Sequence, residues 1–316
     1  MHIGFDVRTP RAMTDTQELA DLVMEGERLG FDYTTVFDHM VVQRSLRAKY
    51  NNSDEGDTDI GYGRCHEQVT TIAFLAGRTR ALRFVTAVMV VPYRPPVLAA
   101  KMLATIDVLS GGRVTVGAGT GWIKDEFEAL GAPAFERRGR VTDEYLEVMK
   151  LLWTEEVVEY EGEHIQVYGI GLEPKPAQRP HPPLWIGGMS GPAMRRAARL
   201  GDAWYPMMND QSKPLDTVDR LQAGIGRLRD LAEAAGRDPG SIDIALRVAE
   251  HGHRLSPTAS DGTRRLFAGG DADFASDLNV VRDLGVTAID FRFEHQRAEV
   301  VVEEMQAFQR DVLGRL

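Results

Sequence analysis

Short β-prone runs alternate with longer amphipathic runs along the whole of this chain, and that alternation leaves few folds open. Runs at 2–7, 31–38, 82–91, 114–119, 184–187, 202–207, 242–248 and 288–293 read as strands. The intervening runs at 14–29, 65–77, 95–109, 140–153, 192–200, 217–235, 274–284 and 299–313 carry the apolar spacing or the end signals of helices. Residues 82–91 are almost continuously apolar, as expected of a parallel strand covered on both faces. Eight such β-then-α units in 316 residues predict one α/β domain over 1–316, a (β/α)8 TIM barrel. An open doubly wound sheet is the alternative, but it would place its phosphate loop after the first strand. Here the glycine-rich loop follows the fourth.

Two stretches interrupt the cycle. Residues 157–183 set Glu161-Gly162 between two β-prone runs, which predicts a hairpin insertion. Residues 40–64 are polar and contain Asn51, Asn52, Gly56, Gly61 and Gly63. They follow the second strand, so in a barrel they form a lid loop over the C-terminal mouth.

Composition narrows the partners. A formal net charge of −10 argues against nucleic acid or an anionic membrane, yet leaves room for an anionic small molecule held locally. Cys65 is the one cysteine, which rules out an intrachain disulfide and a cysteine-built zinc site. The first residues show no basic-then-apolar leader, and no apolar run approaches the roughly 18–20 residues of a membrane span. A cytoplasmic protein acting on a small organic substrate is expected.

The sharpest local motif is Gly117-Ala118-Gly119-Thr120-Gly121-Trp122, directly after the fourth strand. Alternating glycines let the backbone approach a ligand and converge several N–H groups, as a phosphate requires; a ligand-free turn is the other reading. Gly187-Gly188-Met189-Ser190 repeats the theme at the fifth strand, with Ser190 and Pro192 suited to start a helix. Asp38-His39 ends the second strand, where a histidine can exchange a proton near neutral pH and a neighbouring carboxylate can tune it. Glu250, His251 and His253 end the seventh strand; they lack the third histidine or carboxylate cluster of a metal site, so no metal is assigned. His251 and His253 are instead expected to line the substrate pocket or its rim. Arg137, Arg138 and Arg140 read as solvated surface from which one arginine could reach an anionic tail. No lysine stands at a strand's C-terminal end and no GxSxG elbow occurs, which counts against Schiff-base and serine chemistry.

Residues 29–40, 91–122, 135–153, 174–188 and 195–206 together resemble the luciferase-like monooxygenase superfamily, and within it the F420-dependent oxidoreductases. The run from Pro92 through Trp122 carries most of the likeness, which is thin over 41–64 and 249–272. The resemblance implies a bacterial-luciferase-type barrel, with insertions at its C-terminal mouth and a deazaflavin or flavin ring standing there. It implies Asp38 and His39 beside the ring, and phosphate held by Gly119, Thr120, Gly121 and Gly187, Gly188, Met189, Ser190. It further implies a non-prolyl cis peptide behind the ring at Ala87-Val88, and a homodimer. Sugar-phosphate dehydrogenases of the family carry a catalytic glutamate where this chain has Trp122. An indole there predicts an apolar or aromatic substrate.

The reading that follows is hydride transfer between the C5 of coenzyme F420 and an organic substrate, with His39 handling the proton and Asp38 orienting it. An FMN-dependent monooxygenase using dioxygen is the first alternative. A non-catalytic flavin or deazaflavin carrier is the second, and a phosphate-binding isomerase or lyase the third.

Overall fold

Strand β1 (His2–Arg8) lies parallel between β2 (Tyr33–Val36) and β11 (Val286–Glu294), joining the two ends of the chain's sheet. The fold is that of a computed structural model describing residues 1–8, 15–41, 65–210 and 214–316. From β2 the sheet passes through β3 (Arg83–Thr86), β4 (Met89–Val90), β5 (Val114–Gly119), β8 (Leu184–Gly187), β9 (Ala203–Tyr205) and β10 (Asp243–Val248) back to β11. Every neighbouring pair is parallel, so the chain closes an eight-stranded barrel in which β3 and β4 are one interrupted strand. The sequence predicts a continuous strand over 82–91. It breaks at Ala87-Val88, whose peptide bond is cis.

The outer ring consists of α1 (Thr16–Arg28), α2 (Gln68–Ala76), α3 (Pro96–Ser110), α5 (Arg138–Thr154), α6 (Gly191–Leu200), α7 (Val218–Ala234), α8 (Asp271–Asp283) and α9 (Ala298–Ala307). Asp15 starts α1 by accepting from the backbone N–H groups of Gln17 and Glu18, which intrahelical bonding leaves unpaired. Pro96 opens α3 at the first turn, where a missing N–H is harmless. Leu22 and Val23 of α1, Leu103 of α3, Leu146 and Leu152 of α5 and Val281 of α8 turn inward onto the strands and form the main core. A smaller layer fills the barrel itself: Tyr33, Val85, Tyr205, Ala245 and Ala288, with Ala87, Val88 and Trp185 against them. These interior side chains floor the mouth above.

An antiparallel hairpin, β6 (Val158–Glu161) with β7 (Gln166–Ile170), stands outside the barrel between α5 and β8. The lid expected over 40–64 falls mostly outside the described residues; only Met40 and Val41 of it are placed. One helix escapes the sequence pattern, α4 (Lys124–Leu130), which is too short for an apolar period and is closed by Gly131 in the left-handed region. No helix among the described residues is long and apolar enough to cross a membrane.

Candidate functional site

A cavity of about 400 Å³ opens at the C-terminal ends of the strands. One wall is Gly119-Thr120-Gly121-Trp122 after β5, and the next is Gly187-Gly188-Met189 after β8. Ala87 and Val88 back it, and Phe37, Asp38 and His39 close the side after β2. Arg8, Arg247 and Arg292, from β1, β10 and β11, also line it. The expected residues therefore meet in one place, with three exceptions.

Ser190 is exposed, lies outside the cavity wall and caps α6 by accepting from the N–H of Ala193. His251 is packed edge-on against Phe274, Phe291 and Phe293, and its Nε2 lies 2.8 Å from the carbonyl of Arg292. A carbonyl only accepts, so Nε2 carries the proton; burial pulls the ring's pKa down and keeps it neutral. His253 is exposed beyond it. Neither histidine lines the cavity, which corrects their assignment to the substrate pocket. The seventh strand's contribution is Arg247, one residue before the strand ends.

Asp38 does not orient His39. Its carboxylate accepts both terminal nitrogens of Arg94, at 2.8 and 2.9 Å, and the backbone N–H of Val90 at 2.9 Å. Arg94 also reaches Glu67 at 2.6 Å, and the bonds from Asp38 and Glu67 outweigh the burial that would lower the guanidinium's pKa. Asp38 is thus a strut between β2 and the segment after β4.

A carboxylate that does meet His39 is Glu126, from the helix the sequence did not predict. Glu126 Oε2 lies 3.1 Å from His39 Nδ1 and accepts from the Tyr93 hydroxyl at 2.7 Å. Its Oε1 accepts from the N–H groups of Met40 and Val41. Burial would raise this carboxyl's pKa, but the bonds from His39, Tyr93 and Met40 outweigh it and hold the group ionised. An ionised carboxylate only accepts, so His39 donates its Nδ1 proton to Glu126. Trp122, 44% exposed, stands edge-on to the imidazole at 6.3 Å between ring centres.

The glycines have a reason apart from any ligand. A Cβ on Gly119 would lie 2.5 Å from Val88 Cγ2, and one on Gly187 would lie 3.0 Å from Val88 Cγ1. The interruption of the third barrel strand aims Val88 between β5 and β8, and only glycine leaves it room. Gly121 has φ +77° as well, and a Cβ there would meet Val90 and Phe127. Of the basic run, Arg138 lies over Phe135 and donates to the carbonyl of Gly121, whereas Arg137 and Arg140 pair with Glu163 of the hairpin.

Sequence reasoning missed Glu126, Tyr93, Arg94, Arg8, Arg247 and Arg292. Tyr93 and Arg94 lie inside the run most like the family, and the three other arginines obey the strand-end rule that flagged Asp38-His39. Glu126 offered no such signal.

The luciferase-like monooxygenase family model matches residues 2–315. An FMNH2-dependent dimethylsulfone monooxygenase of Pseudomonas putida is 38% identical over 180 residues, 56% of this chain; the match spans about half of that protein, 47%. An uncharacterized protein of Mycobacterium tuberculosis is 30% identical over 297 residues, covering 94% of this chain and 97% of its own length. Among solved structures, an F420-dependent secondary alcohol dehydrogenase in complex with an F420-acetone adduct superposes with a TM-score of 0.74 at 16% identity, covering 99% of this chain and 98% of that one. That last likeness is one of fold.

Proposed function

The chain belongs to the luciferase-like monooxygenase family, and from that premise we propose that it is a coenzyme F420-dependent oxidoreductase acting on an organic substrate. The observation that carries the reading is the His39–Glu126 pair, 3.1 Å apart at the edge of a cavity walled by two glycine loops. About 400 Å³ falls in the range of small-molecule sites, roughly 300–1,000 Å³, and would suit a planar ring system. Apolar Ala87 and Val88 would suit the face of such a ring, while the loops 119–121 and 187–189 would offer backbone N–H groups to its phosphate.

When bound, this deazaflavin supplies a carbon centre that gives or takes a hydride, which favours two-electron chemistry over activation of dioxygen. The protein's share is position and proton control. His39 Nε2 takes or returns the proton that accompanies hydride movement at a substrate oxygen, and Glu126 keeps the ring in the tautomer that allows it. Trp122 offers an indole surface for an apolar or aromatic substrate body.

Fluorescence quenching on titration with F420 and with FMN tests the cofactor. Micromolar binding of F420 is expected, and binding of FMN with none of F420 would overturn the assignment. That second outcome is the FMN-dependent reading, favoured by the 38% identity to the dimethylsulfone monooxygenase. His39→Ala tests the catalytic role: unchanged turnover in the variant would overturn the assignment of proton transfer to His39.

A further inference from the structure

Three guanidinium groups converge at the side of the cavity opposite the glycine loops, and all three lean on a single carboxylate oxygen. Asp6 Oδ2 accepts from Arg8 Nε at 3.1 Å, Arg247 Nη2 at 2.8 Å and Arg292 Nε at 3.3 Å. The arginines line the cavity, whereas Asp6 and Asp290 stand behind them, 2% and 1% exposed. The cations therefore face the open space and the carboxylates that offset them do not.

The donors are under-used. Arg247 also donates to Thr35 and Tyr205. Arg8 and Arg292 each make one side-chain hydrogen bond, through Nε, and their four terminal nitrogens make none among the described residues. Glu294 Oε2 lies 3.9 Å from Arg292 Nη1, too far for a hydrogen bond. Burial and the nearby Arg8 lower the pKa of Arg292, as expected of a cation held among cations.

We propose that Arg8, Arg247 and Arg292 form the subsite for the carboxylate of an organic substrate whose apolar body lies toward Trp122. This deepens the redox reading of the same cavity and rests on it. Charge selects a monoanion over a phosphate dianion: Asp6, Asp290 and Glu294 already offset much of the positive charge, and Asp210 also lines the cavity. Geometry selects a planar group, because paired guanidinium nitrogens match the two oxygens of a carboxylate.

Calorimetric titration of phenylacetate, phenylacetamide and phenyl phosphate into the full chain, with and without saturating F420, tests the assignment. Phenylacetate is expected to bind in both conditions, at least about tenfold more tightly than the amide or the phosphate. Arg292→Gln and Arg8→Gln should each reduce that preference by about tenfold at a temperature where circular dichroism shows each variant folded, and Arg292→Lys should restore part of it. Equal binding of acid and amide, no binding of the acid, or tighter binding of the phosphate overturns the proposal. So does acid binding that vanishes once F420 is bound, since the arginines would then serve the cofactor. Should F420 itself fail to bind, the F420 assignment falls, while the acid–amide comparison on the cofactor-free protein still decides this one.

Discussion

His39 Nδ1 and Glu126 Oε2 meet at 3.1 Å across 87 positions of sequence. The contact ties the end of β2 to a helix beyond β5, and it determines which nitrogen of the imidazole keeps its proton. The same carboxylate holds Tyr93 and the N–H groups of Met40 and Val41, so it also anchors the first residues of the loop that follows β2. A single buried acid thus organises both the histidine and the chain beside it.

Glu126→Gln removes the charge that favours the Nδ1 proton while keeping the shape. Turnover should fall roughly ten- to hundredfold, part of the 10²–10⁴ that positioned acid–base groups supply, with cofactor affinity unchanged. The pH–rate profile should shift, which a purely structural lesion would not cause. Tyr93→Phe should cost about 1–3 kcal/mol of stability, because it deprives a buried carboxylate of a hydrogen bond. An unshifted profile in Glu126→Gln would sink the positioning role.

Asp38 and Arg94 behave as a buried ion pair, and removing one partner exposes the cost of the other. Arg94→Met should destabilise by about 3–5 kcal/mol, measured by urea denaturation, since the Asp38 carboxylate stays buried without its cation. The double variant Arg94→Met with Asp38→Asn should recover most of that loss. Asp38→Asn alone should lower the melting temperature and leave the shape of the pH–rate profile intact. A changed profile would return Asp38 to the role of tuning His39.

Gly119→Ala places a Cβ 2.5 Å from Val88 Cγ2. Overpacking of that kind costs about 1–3 kcal/mol, and Val88→Ala in the same chain should relieve most of it. A neutral Gly119→Ala would mean that packing does not explain this glycine.

Asp290 and Asp6 respond to pH in opposite directions. Burial pushes the Asp290 carboxyl up to about 6 from an ordinary 3.8, against the pull of Arg247 and Tyr205. Between those values the folded chain holds a proton that the unfolded chain has released, so this group's contribution to stability falls as pH rises through the window. Asp6 is buried too, but Arg8, Arg247 and Arg292 hold it at about 2, so its contribution is present above pH 3.8 and is lost as pH falls toward 2. Asp290→Asn should therefore gain on the wild type between pH 4 and 6.5, on the order of 2–3 kcal/mol by denaturant titration. Parallel stability curves would contradict the raised carboxyl.

The alternation of β-prone and amphipathic runs was enough, by itself, to determine the barrel and to place Asp38-His39 and the two glycine loops at one mouth. Strand and helix periods are local properties, and a barrel converts order along the chain into position around a ring. Contacts between those positions are not local, and the errors follow from that. Asp38 precedes His39 in the chain but turns to Arg94, while the acid that holds the histidine sits on α4, too short to announce itself by periodicity. The glycines read as ligand contacts or as a ligand-free turn, and neither reading foresaw that Val88 requires Gly119 and Gly187. The charged side of the mouth was hidden too. Asp6, Arg8, Arg247 and Arg292 lie in three strands from opposite ends of the sequence, and only closing β11 onto β1 brings Arg247 and Arg292 within hydrogen-bonding distance of Asp6.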